Sequence, residues 1–176
     1  MKLELTPIAW FEAEPARLEG EKEAMGELAP DLVWLEPGED LRAGGWEGDV
    51  PVWPFARDAP EPGLSRLLAG RRLRVRVQYP ESFPAVEPKI WPLLDPLPDP
   101  AHRTLHTWHI NGDGSLCLLQ TADLWTGSDP AAELVVKASG WFIEYLLMEA
   151  GVIEAMTLTG LSADESRDEL ISAWNG

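Results

Sequence analysis

A chain of 176 residues, 45% hydrophobic and 25% charged, is long enough to bury a core as a single domain spanning residues 1–176. No stretch approaches the roughly 20 apolar residues needed to span a bilayer, so no membrane partner is expected. A net charge of −16 would repel a phosphate backbone and argues against nucleic acid.

The lone cysteine, Cys117, excludes an internal disulfide and fits a reducing, cytoplasmic setting. "MKLELTPIAWF" lacks the basic start and apolar run of a secretory signal. Nine tryptophans and sixteen prolines point to a core that leans on rings and to many extended connections.

Pro15 at a first turn, followed by "ARLEGEKEAMGEL", predicts a helix of about fourteen residues ending before Pro30, with Leu18, Met25 and Leu28 as its apolar stripe. "DLVWLEPGEDL" predicts a short strand and then a Pro-Gly turn. From Gly44 to Gly63 the chain is dense in Gly, Pro and Asp, with a short strand expected around "VPVWPF".

Arg71 to Tyr79 alternates most cleanly. Leu73, Val75, Val77 and Tyr79 share one face, and Arg72, Arg74 and Arg76 take the other, solvated one. "EPKIWPL" predicts another strand, bounded by prolines. Beyond the cysteine, Ser128 or Asp129 is the expected cap and Pro130 the first turn of an amphipathic helix ending near Gly151. Ser162 and Glu165 have the spacing of a capping box for a last helix. Helix, antiparallel strands, an irregular segment and then helices make an α+β domain.

"HTWHINGDGSLCLLQ", from His106 to Gln120, concentrates the chemistry and admits three readings. His102, His106, His109 and Cys117 are a nitrogen and sulfur set that zinc accepts, although prolines upstream oppose a helix there. Cys117 within "SLCLL" also fits a small buried hydrophobe, and a His beside a Trp fits a packed side chain. In the third reading, the turn pairs Asn111-Gly112 and Asp113-Gly114 present a nucleophilic thiol on a held loop. Backbone N–H groups would then be available to an oxyanion, and a His within reach to a proton.

Tyr79-Pro80, the proline-bounded "SFPAVEPKIW", "GSLCL" from Gly114 to Leu118, and Trp125 eight residues past Cys117 resemble the ubiquitin-conjugating enzymes. The resemblance covers about residues 15 to 150, and its specific motifs lie between Tyr79 and Trp125. It departs where Thr107, Trp108 and His109 stand in the family's His-Pro-Asn positions, and where Leu119 replaces a frequent Asp. Such departures resemble divergent, bacterial-type members. Some of these sit in operons with activating-enzyme and deubiquitinase-like partners, and others accompany nucleotide cyclases in anti-phage systems.

The resemblance implies a ubiquitin-conjugating-enzyme-like fold with an N-terminal helix, an antiparallel four-stranded meander and C-terminal helices. It implies a thioester on Cys117, formed with an activating enzyme and a ubiquitin-like modifier or protein C-terminus, and then transferred to an amine. His109 would take the place of the family's oxyanion-supporting Asn, with Asn111 a second donor. Trp125 would pack under the cysteine loop, and the acidic first helix would be one docking surface. This chemistry needs no metal or organic cofactor. The rival implications are a catalytically silent module that binds a ubiquitin-like protein, and a zinc site built from His102, His106, His109 and Cys117.

Overall fold

The computed structural model describes residues 8–97, 107–119 and 125–176. The elements are α1 (Trp10–Ala13), α2 (Pro15–Leu28), β1 (Leu32–Leu35), β2 (Gly45–Asp49), α3 (Gly63–Leu68), β3 (Arg74–Gln78), β4 (Lys89–Pro92), α4 (Ala131–Glu149) and α5 (Asp168–Ser172). The four strands form one antiparallel sheet in the order β1-β2-β3-β4, so the domain is α+β. No described helix is long and apolar enough to cross a membrane.

Alternation in β3 plays out as its sequence dictates. Leu73, Val75, Val77 and Tyr79 are buried, while Arg74 and Arg76 face out and both donate to Glu47 of β2 at 2.6–3.3 Å. These two guanidiniums hold the Glu47 carboxyl below its ordinary range. The next strand inward differs from expectation: β2 is "GWEGD", and "VPVWPF" lies outside the sheet. Pro51 and Pro54 have no N–H to donate to a ladder. Gly45 and Gly48 enter the sheet because neighbouring backbone leaves no room: a Cβ on Gly45 would meet the Val77 carbonyl oxygen, and one on Gly48 that of Asp31.

Helix α2 begins at Pro15 as expected but buries Glu21 and Met25, leaving Leu28 exposed. Glu21 is a junction. Its Oε2 accepts from the Tyr79 hydroxyl at 2.6 Å and from the Ala131 N–H at 2.9 Å, and the Tyr79 oxygen accepts from Trp46 Nε1 at 3.1 Å. Three elements thus meet on one carboxylate. Around it Trp10, Tyr79 and Phe83 pack with ring centroids 4.7–4.9 Å apart, which is the ring-based core the composition implied.

The start of α4 therefore differs from its sequence expectation. Pro130 is the N-cap, and neither Ser128 nor Asp129 caps the helix. Asp129 instead accepts from Thr126, whose hydroxyl lies 2.7 Å from that of Ser128. A first-turn amide of α4 goes to Glu21, more than a hundred residues away in sequence. Local patterns do not reveal such a cap. The helix ends at Glu149, ahead of Gly151 at φ +68°.

The last helix is also shorter than expected. Ser162 and Glu165 form no capping box. Asp164 accepts the Ser166 N–H at 2.8 Å, and α5 starts only at Asp168. Arg57, from the stretch before α3, fastens this tail. It donates to both carboxylate oxygens of Asp168 (2.7 and 3.1 Å) and to the Leu161 carbonyl (2.8 Å), and its guanidinium lies 5.1 Å from the Trp53 and Phe55 ring centres.

Candidate functional site

Residues 109–117 form a small hairpin whose turn chemistry is complete. Ile110 bridges Leu116 in antiparallel fashion. The Asn111 N–H donates to the Ser115 carbonyl at 2.8 Å, and Gly114, at φ +92°, donates to the Asn111 carbonyl at 2.9 Å. A positive φ at that corner is why glycine stands there. Asp113 Oδ1 accepts from the Ser115 N–H (3.0 Å) and hydroxyl (2.6 Å), while Oδ2 accepts from Lys89 (2.6 Å). With the Lys89 ammonium as the main cause, the Asp113 carboxyl is pulled down to about 2. The Leu116 N–H donates to the Ile90 carbonyl at 2.8 Å, docking the hairpin against β4.

Cys117 follows directly. Its N–H donates to the His109 carbonyl at 2.8 Å, so the histidine and the cysteine are cross-strand neighbours. The half-buried thiol donates to the Leu119 carbonyl at 3.6 Å, and burial pushes it above its ordinary thiol range. Among the described residues, the Leu118 and Leu119 N–H groups make no hydrogen bond. His109 is buried and holds a left-handed backbone at φ +48°, a conformation few side chains adopt but histidine tolerates better than most.

A cleft brings His109 and Cys117 together with Lys137, Trp141 and Glu144 of α4, and with residues of the 156–160 segment. The helix residues recur at steps of four and three, which puts them on one stripe. Trp141 Nε1 donates to the Trp108 carbonyl at 2.8 Å, holding the hairpin side. Buried Glu144 accepts the Thr157 N–H (2.8 Å) and hydroxyl (3.1 Å), holding the opposite wall. Desolvation raises the Glu144 carboxyl. A second hollow, between β4 and the hairpin, is lined by Lys89, Asn111, Cys117 and Leu119, so the sulfur borders both.

Of the sequence-derived candidates, the hairpin brings Cys117 and His109 to one cleft. Asn111 lies in the turn, where both its amide donations are taken up by Ser115 Oγ (3.0 Å) and the Leu116 carbonyl (3.3 Å). His102 and His106 lie outside the described residues, and among the described residues no three His, Cys, Asp or Glu side chains converge as a metal site. Trp125 Nε1 donates to the Pro84 carbonyl at 2.8 Å, and its ring lies 6.2 Å from that of Phe83. Its polar anchor is thus the 83–84 turn. Sequence reasoning missed Lys137, Trp141 and Glu144. Their signal was a pair of charged residues in the interior of a mostly apolar helix, seven apart with a tryptophan between them. No family model and no curated protein sequence matches the chain.

Proposed function

We propose that Cys117 carries an acyl group as a thioester, on a domain built like the ubiquitin-conjugating enzymes, and passes it to an amine. The observation that carries this reading is Cys117 on a turn-locked hairpin, half-buried beside His109 in one cleft. The hairpin leaves the four-stranded meander and precedes the long helix α4, the order in which the resembling family places its cysteine.

In the charging step, the Cys117 thiolate attacks the thioester carbonyl of a modifier delivered by an activating enzyme. The partner's thiolate leaves and is protonated. In the discharge step an acceptor amine attacks the new thioester, the C–N bond forms and Cys117 is released as a thiol. The ATP of activation is consumed by the activating enzyme. The elevated thiol means that a proton must be removed during encounter. His109, in the same cleft, is the group assigned to move it or to donate to the oxyanion. The open Leu118 and Leu119 amides are further oxyanion donors, whereas Asn111 supports the turn. The modifier, or a protein C-terminus such as that of a nucleotide cyclase, supplies the acyl group.

Incubation with an activating enzyme, ATP and the modifier is the test. A reductant-sensitive adduct that disappears in Cys117→Ala is expected. Partners of proven activity that leave the chain unmodified would favour the silent binding module. Stoichiometric zinc in the purified protein would favour the metal site.

A further inference from the structure

Three side chains on one stripe of α4 line the Cys117 cleft, and two have structural duties. Trp141 fastens the hairpin through the Trp108 carbonyl, and Glu144 fastens the far wall through Thr157. Lys137 lies one turn from Trp141, towards the start of α4. Among the described residues its ammonium makes no hydrogen bond or ion pair. Lys22 and Lys89, by contrast, are paired with Glu19 and Asp113. A primary amine without a structural partner thus borders the cleft of the chain's only thiol, with a histidine in the same wall.

Resting on the thioester reading above, we infer that Lys137 is an acyl acceptor within the same chain, so that an acyl group on Cys117 moves to Lys137 as an amide. The Lys137 ammonium gives up a proton to a base, a role assigned to His109 of the same cleft or to water. The neutral Nζ attacks the thioester carbonyl, the C–N bond forms and the C–S bond breaks. The Cys117 thiolate takes back one proton, and a second passes to water. No oxidant, metal or further reactant enters the balance. The thioester's free energy drives the step because an amide is the more stable acyl derivative. Cys117 is regenerated, and the chain is left modified at the wall of its own cleft.

A small-molecule probe removes any need for a protein partner. The full-length protein is incubated with the mercaptoethanesulfonate thioester of acetyl-glycylglycine, then treated with dithiothreitol and mapped by tandem mass spectrometry. Expected is an acyl group on Lys137 that resists dithiothreitol and accumulates at least tenfold faster than on Lys22 or Lys89. In Lys137→Arg, which keeps the charge, the acyl group should remain on Cys117 and be fully released by dithiothreitol. Cys117→Ala should lose the preference for Lys137. Equal Lys137 acylation in Cys117→Ala would overturn the inference, and so would a wild-type adduct that stays entirely reductant-labile. The latter result leaves the carrier reading standing. A Cys117 that exchanges with neither this probe nor a charged activating enzyme overturns both.

Discussion

His109 combines a left-handed backbone with a buried ring and a place beside the nucleophile. Asparagine tolerates that backbone at least as well as histidine, whereas alanine, which among the described residues adopts it only at Ala69, does so at a steric cost. His109→Asn should therefore retain the urea midpoint of the wild type, while His109→Ala loses about 1 kcal/mol. Discharge of a preformed thioester should slow by about 100-fold in His109→Ala if the ring serves the oxyanion. Unchanged discharge in both variants would remove His109 from the chemistry. The thiol itself gives an independent test. Because burial raises Cys117 and only the thiolate is alkylated, the iodoacetamide rate should climb steadily with pH through 9. A plateau below pH 8 would contradict the elevated thiol.

At the scale of elements, legibility tracked how local each cause is. The β3 alternation, Pro15 and the Asn-Gly and Asp-Gly turns act over a few residues, and the corresponding elements formed where expected. The cap of α4 and the two glycines of β2 depend on partners distant in sequence, so neither was readable along the chain. Glu21 makes the point testable. Its carboxyl is raised, mainly by burial, so its contribution is fully present below the unfolded value near 4.5 and declines as pH rises through the folded one. Glu21→Gln mimics the protonated form. It should therefore cost little near pH 4.5 and less still, or become stabilising, at pH 7.5, read from urea midpoints. An equal or larger cost at pH 7.5 would mean that the buried group is not the source of the pH dependence.

Across the whole molecule, the α+β order and the position of Cys117 were legible because both are carried by motifs. The cleft was not. Its far wall is the 156–160 segment, held through Glu144, and the tail that follows it is held by Arg57. Arg57 comes from the Gly44–Gly63 stretch, where the Gly, Pro and Asp composition gave no sign of a long-range anchor beyond one expected strand. Two devices thus converge on one feature: a hairpin locked by Asp113 and Asn111 carries the sulfur, and α4 with the 156–160 segment lines the cleft that it borders. The proposed function stands or falls on a covalent acyl bond at Cys117. Replacing Cys117 by serine turns a charged thioester into an oxyester, so intact mass after incubation with activating enzyme, ATP and modifier is decisive. A wild-type adduct lost in dithiothreitol, together with a Cys117→Ser adduct that survives dithiothreitol but is cleaved by mild base, is the predicted result. An adduct of unchanged mass and stability in Cys117→Ala would contradict it.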